Sequence, residues 1–145
     1  MRLLFIILLI CPLFSSCDKD VKSTIEDYIE ENNLQAESTA DGLYYVIEEP
    51  GSEEKPNLTN DITIHYVGQL TNGNVFDSSY ARGEPSDFFL GGNLIKGWKI
   101  GIPLFGKGGK GKLIIPPSLG YGSLSQPGIP SNSVLVFDIE LIDFQ

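Results

Sequence analysis

Ile62-Thr63-Ile64-His65-Tyr66-Val67-Gly68-Gln69-Leu70-Thr71-Asn72-Gly73-Asn74-Val75-Phe76 alternates Ile62, Ile64 and Tyr66 with Thr63, His65 and Val67, reaches an Asn-Gly pair, and returns through Val75 and Phe76. A period of two belongs to a strand with one face on a core. Asn72-Gly73 tolerates the positive φ angles that a hairpin turn requires. The same pattern continues on both sides. Leu43 to Ile47 follows an Asp41-Gly42 turn, and Phe88 to Leu90, Lys112 to Ile115 and Val134 to Ile142 are further runs of strand formers. Within this body one short helix is predicted, from Leu94 to Ile102. Its residues Ile95, Trp98 and Ile102 share a face, and Pro103 ends it. About five to six antiparallel strands and one brief helix predict an α+β domain with the sheet wrapped over the helix. Gly120 to Pro130 is a long connection, of the kind that carries function.

Composition narrows the chemistry. The chain has 145 residues, two Cys, one His and one Trp, and both Cys (Cys11 and Cys17) precede the glycine-rich body. That body has neither a disulfide framework nor a thiolate for zinc or nucleophilic work, and His65 alone makes no histidine metal cluster. The length suits one domain with a real core. A formal net charge of −9 argues against nucleic-acid binding, which relies on neutralising phosphates.

Met1-Arg2, the apolar run Leu3 to Ile10, and Leu13-Phe14-Ser15-Ser16 before Cys17 form the pattern of a secretory signal peptide. The run is shorter than the roughly 20 apolar residues of a membrane span. The tail ending in Cys17 resembles a bacterial lipobox, which implies removal of residues 1–16 and lipidation of Cys17. Cys11, between Ile10 and Pro12, fits less well. Residues 17–40 hold seven acidic residues, two Lys and no Gly or Pro, whereas all sixteen Gly lie between Gly42 and Gly128. This predicts a lipid-anchored acidic spacer over 17–40 and a domain over 41–145. In the spacer, Ser23 and Glu26 fit a helix start. Ile25, Tyr28 and Ile29 share a narrow stripe that docks on the body, pairs with another copy, or stiffens the tether.

Each candidate feature has a plain structural alternative. Gly106 to Lys112 approaches a phosphate-loop pattern, yet Leu113 replaces the hydroxyl residue and a strand follows instead of a helix; a glycine turn fits better. The five Lys between Phe88 and Phe137, with no acid among them, form either a solvated face or a patch for anionic partners. Asp77, directly after a strand, suits a turn cap. His65 sits mid-strand without a sequence partner, and Trp98 suits a core. Tyr121, between two glycines, suits a ligand contact.

Taken in order, His65-Tyr66-Val67-Gly68, Val75-Phe76-Asp77-Ser78-Ser79, Leu94-Ile95-Lys96-Gly97-Trp98, Ile115-Pro116-Pro117, Leu119-Gly120-Tyr121-Gly122 and Val134 to Leu141 resemble the FKBP-type peptidyl-prolyl cis-trans isomerases in sequence and spacing. The resemblance spans Gly42 to Phe144. It implies an FKBP-like fold, a curled antiparallel sheet around a short helix, with an apolar proline pocket between them. Trp98 would be the floor, and Tyr66, Phe76, Leu94, Ile95, Ile129 and Phe137 the walls. Asp77 and Tyr121 would be the catalytic polar groups at the rim, with the Ile95 amide as a further donor. Implied ligands are proline-containing polypeptides and FK506/rapamycin-like macrolides, without metal or cofactor. With the leader, the resemblance implies a protein of the bacterial cell envelope, tied to the membrane through lipid on Cys17. Two departures stand out. Ser86 occupies a position that is often aromatic, which thins one wall unless Phe88 or Phe89 leans in. The Ser125 to Pro130 loop is short and carries Gln126 in place of a frequent His. A proline-segment binding module with little turnover is the alternative reading. The absence of a long insertion after the third strand makes strong holdase action less expected.

Overall fold

The computed structural model describes residues 16–145. The expected leader lies outside the described residues except for Ser16. Cys17 falls in the first turn of helix α1 (Ser16–Glu31). The chain continues through β1 (Glu37–Ser38), β2 (Tyr44–Glu49), β3 (Asp61–Leu70), β4 (Val75–Ser78), the single-turn helix α2 (Ser79–Arg82) and β5 (Ser86–Phe89). Helix α3 (Lys96–Gly101), a 3₁₀ turn over Ile102–Leu104, β6 (Lys110–Ile115), a second 3₁₀ turn over Pro117–Leu119 and β7 (Leu135–Phe144) complete it.

Seven strands make one antiparallel sheet in the order β1-β2-β6-β7-β3-β4, with β5 also paired to β3. The Asn-Gly pair turns the β3–β4 hairpin, with positive φ at the glycine and not at Asn72. Gly73 takes φ 87°, and the Leu70 amide donates to the Asn74 carbonyl at 3.0 Å. All six strand runs read from the sequence are present. The seventh is β1, whose two residues are too few to show a period. It pairs Glu37 and Ser38 with Tyr45 and Tyr44, so the ladder begins ahead of Asp41.

Both faces of the central strands are covered. Leu113, Ile115, Leu135, Phe137 and Ile139 face the main core beside Trp98, Ile102 and Phe105. Their neighbours Ile114 and Val136 face the other way and pack with Ile25 and Tyr28 of α1. The stripe on the spacer therefore docks on the body. The helix also starts earlier than Ser23 predicts. Val21 belongs to the docked face, so packing carries the helix past the capping signal, and the Thr24 hydroxyl donates within the helix to the Asp20 carbonyl at 2.8 Å. At its other end, Asn33 takes φ 52° and the Leu34 amide reaches back to the Ile29 carbonyl at 3.0 Å, closing the helix with a left-handed cap.

On the inner face, α3 lies directly on β6. A Cβ on Gly97 would stand 2.6 Å from the Ile115 side chain, and one on Gly101 would stand 2.6 Å from Leu113. Only glycines at these positions, one helical turn apart, let the α3 backbone come so close. That approach presses Trp98, next to Gly97, against the sheet. The Gly106–Gly111 loop is a glycine turn: Ser52 and Lys107 exchange hydrogen bonds across it, at 3.0 Å from the Ser52 amide and 2.9 Å to the Ser52 hydroxyl.

Candidate functional site

Between α3 and the open side of the sheet lies a cavity of about 820 Å³. The buried Trp98 forms its base. The indole stands nearly perpendicular to three rings: Tyr66 at 5.1 Å and 84°, Phe137 at 5.3 Å and 82°, and Phe88 at 5.4 Å and 90°. Such edge-to-face contacts match the quadrupoles of neighbouring rings and fix their orientation. Phe76 meets Phe137 at 5.5 Å and 79°. Leu94 and Ile95 enter from the start of α3. Ile129 enters from a tight turn in which Gln126 and Ile129 exchange both backbone hydrogen bonds at 2.9 Å. Pro127 and Gly128 (φ 76°) occupy the middle of that turn, the positions a type II turn reserves for them.

At the rim, Ser78 rather than Asp77 caps α2, its side chain accepting from the Ala81 amide. The Asp77 carboxylate is thereby left for the site. The Tyr66 hydroxyl donates to Asp77 Oδ2 at 2.5 Å, and Arg82 forms an ion pair with Asp77 Oδ1. Arg82 also donates to the Tyr66 oxygen at 3.0 Å and to Ser86 Oγ at 2.9 Å, its guanidinium 5.5 Å from the centre of the Tyr66 ring. These contacts set the ionisation of the pair. Burial, then the hydrogen bond to Asp77, push the Tyr66 phenol above its ordinary value, and Arg82 partly opposes them. For Asp77, partial burial pushes upward, but the hydrogen bonds from Tyr66 and Arg82 and the guanidinium charge together hold the carboxyl below its ordinary value. Asp77 is an anion and Tyr66 a neutral donor at neutral pH.

Two donors at the mouth are unspent. Tyr121 is 37% exposed. Among the described residues, neither its hydroxyl nor the Ile95 amide has a hydrogen-bond acceptor within the protein.

The cavity thus brings together all nine residues singled out from the sequence: Tyr66, Phe76, Asp77, Leu94, Ile95, Trp98, Tyr121, Ile129 and Phe137. Sequence reasoning missed Arg82, and it left undecided whether Phe88 or Phe89 fills the wall thinned at Ser86. On β5, Ser86 and Phe88 share the inward face while Phe89 points outward, 51% exposed. Phe88 therefore fills the wall, and Ser86 serves as an acceptor for Arg82. The five lysines also divide: Lys107, Lys110 and Lys112 pair with Asp143, Glu140 and Asp138, Lys99 sits in the last turn of α3, and Lys96 lines the mouth.

Fold and site together define an α+β domain whose curled antiparallel sheet and short helix enclose an aromatic cup with free donors at its lip. Residues 52–142, more than half the chain, match the family model described as FKBP-type peptidyl-prolyl cis-trans isomerase, and the chain belongs to that family. It is 47% identical over 118 residues to the FKBP-type peptidyl-prolyl cis-trans isomerase FkpA of Escherichia coli K12, an alignment covering 81% of this chain and 43% of that protein. The FkpA of Buchnera aphidicola subsp. Schizaphis graminum is 51% identical over 108 residues, covering 74% of this chain and 42% of that one. The chain thus spans less than half the length of these curated relatives. Among solved structures, the crystal structure of FkpA from Escherichia coli superposes with a TM-score of 0.75 at 40% identity, over 89% of this chain and 62% of that one. The crystal structure of AtFKBP13 does so with a TM-score of 0.69 at 41% identity, over 76% of this chain and 98% of that one.

Proposed function

We propose that this protein is a peptidyl-prolyl cis-trans isomerase that seats the proline ring on Trp98 and twists the preceding amide without covalent chemistry. The observation that carries this reading is the convergence of nine sequence-selected residues on one cavity with an aromatic base and two unspent donors at its mouth. An X-Pro bond turns slowly because rotation breaks amide resonance, a barrier of roughly 18–20 kcal/mol. The twisted amide has lost that conjugation and is less polar than the planar one, so an apolar enclosure disfavours the planar state. Tyr66, Phe76, Leu94, Ile95, Ile129 and Phe137 supply the enclosure. The Tyr121 hydroxyl and the Ile95 amide donate to peptide carbonyls, fixed dipoles that need no reorganisation during rotation. Asp77, held as an anion by Tyr66 and Arg82, faces the twisted unit. Each decade of acceleration needs only about 1.4 kcal/mol, within reach of packing and one or two hydrogen bonds. The same cup suits FK506/rapamycin-like macrolides.

The expected substrates are proline-containing segments of exported proteins. The leader and the lipobox-like tail support export and lipidation of Cys17, which would hold the domain at an envelope membrane. Two experiments test the reading. Isomerisation of a short X-Pro peptide is expected to accelerate with wild type and to fall about tenfold or more in folded Asp77→Ala and Trp98→Ala variants. No acceleration by folded wild type would leave only a proline-binding domain. Mass spectrometry of the mature protein is expected to find an acylated N-terminal Cys17, lost in Cys17→Ser; an unmodified cysteine would remove the anchor.

A further inference from the structure

Ser79 is the one polar residue fully withdrawn from solvent among the described residues, and nothing in the chemistry above uses it. The reason for its burial lies in β3. Along one side, that strand pairs with β5 as far as Ile64, opposite Ser86, and with β4 from Val67, opposite Ser78. Neither strand reaches the backbone of Tyr66, and a buried amide and carbonyl left there without partners are costly. Ser79 Oγ fills the gap. The Tyr66 amide donates to it at 2.8 Å, it lies 3.2 Å from the Tyr66 carbonyl, and His65 Nδ1 is 2.9 Å away. One hydroxyl thus takes the place of a strand residue.

Its proton inventory fixes a further detail. A hydroxyl has one proton and two lone pairs. All three contacts close together only when His65 carries a proton on Nδ1. The Tyr66 amide and Nδ1–H then donate to Oγ, and the hydroxyl proton goes to the Tyr66 carbonyl. This holds for the neutral and the charged imidazole alike. The ring is fixed from the side by Tyr80, stacked on it at 4.2 Å and 10°.

Ser79 is also the first residue of α2, the helix that delivers Arg82. The hydroxyl therefore ties the start of that helix to the backbone of the residue whose phenol Arg82 and Asp77 hold at the other end. The loop closes: Tyr66 backbone, Ser79, α2, Arg82, Tyr66 hydroxyl.

We propose that Ser79 is a positioning residue of the isomerase site, clasping the Tyr66 backbone so that the Tyr66, Asp77 and Arg82 side chains meet at the rim of the pocket. This rests on the isomerase reading above. Ser79→Ala is expected to lower kcat/KM for an X-Pro peptide about tenfold, as small misplacements of site groups do, at a temperature where the variant is folded. Amide exchange at Tyr66 is expected to quicken in the same variant, and ¹⁵N spectra are expected to show His65 losing its Nδ1–H tautomer. A lower melting temperature with unchanged kcat/KM would make Ser79 a residue of the fold only and overturn the proposal. Should Ser79→Ala not fold, two readings on wild type still decide. A protected Tyr66 amide and Nδ1–H on His65 support the clasp; an Nδ1 without a proton overturns it. A wild type without isomerase activity would defeat the isomerase reading and, with it, the assignment of Ser79 to that site.

Discussion

Asp77 receives hydrogen bonds from two groups that also bond each other, so removing any one of the three should disturb the other two. Its carboxyl is held below the ordinary value against the opposing effect of partial burial, while the Tyr66 phenol is held above its own. The sign of the pH dependence follows. A depressed carboxyl contributes stability that is fully present above the unfolded value, about 3.9, and is lost as pH falls through the lower folded value. A raised phenol stays protonated past about 10. Between pH 5 and 8 neither group titrates, and kcat/KM should be flat as far as this pair is concerned. An acid limb in that window, lost in Asp77→Asn, would contradict the arrangement. Arg82→Leu removes the counter-charge and the second donor at once. The Asp77 carboxyl is then expected to titrate higher by NMR, and kcat/KM to fall several-fold, about 3–10. Tyr121→Phe deletes a donor that makes no hydrogen bond among the described residues, so it should cost activity, again about tenfold, while leaving the melting temperature unchanged.

Helix α1 separates stability from activity, because it packs on the face of the sheet opposite the pocket. Ile25 and Tyr28 are buried there on Ile114 and Val136. Ile25→Ala should cost about 2–5 kcal/mol of stability, and Tyr28→Asp should lower the melting temperature as well. Both should leave kcat/KM of the folded protein within about twofold of wild type. A large loss of activity at temperatures well below unfolding would mean that α1 reaches the site. The sequence held this element only in part. Leu113-Ile114-Ile115 and Leu135-Val136-Phe137 are unbroken apolar runs, the mark of strands covered on both faces, yet such a run does not name its cover. Ser23 misled because a capping signal is local, whereas the helix start is set by where Val21 packs. The pocket was more legible, since most of its residues, on β3, β4, β7, the start of α3 and the connection after β6, sit inside short motifs whose spacing survives folding. Arg82 was not. Its partnership with Asp77 and Tyr66 runs through a single helical turn with no period to read, and its meaning appears only once Ser78, not Asp77, is seen to hold the cap.

The molecule as a whole is acidic, with a formal net charge of −9, but the mouth of its pocket is not. Three of the five lysines between Phe88 and Phe137 are paired with acids of β7. Asp77 is matched by Arg82. Lys96 stands at the mouth, and among the described residues it has no acid within ion-pair distance. Two fields therefore act on an incoming segment with opposite preferences. The net charge draws basic segments from afar, and Lys96 favours an acidic side chain once the proline is seated. Salt separates the two, because the Debye length is about 10 Å at 0.1 M and about 3 Å at 1 M. At 0.15 M the distant field is largely screened and the contact term remains. A peptide with Glu flanking its X-Pro unit should then be turned over about 2–5 times better than its Lys counterpart, the span an exposed charge pair supplies. Lys96→Glu should reverse that order without altering turnover of an uncharged peptide, and 1 M salt should bring all three peptides together. If Lys96→Glu leaves the order as it was, the charge of the whole chain selects substrates and the mouth does not.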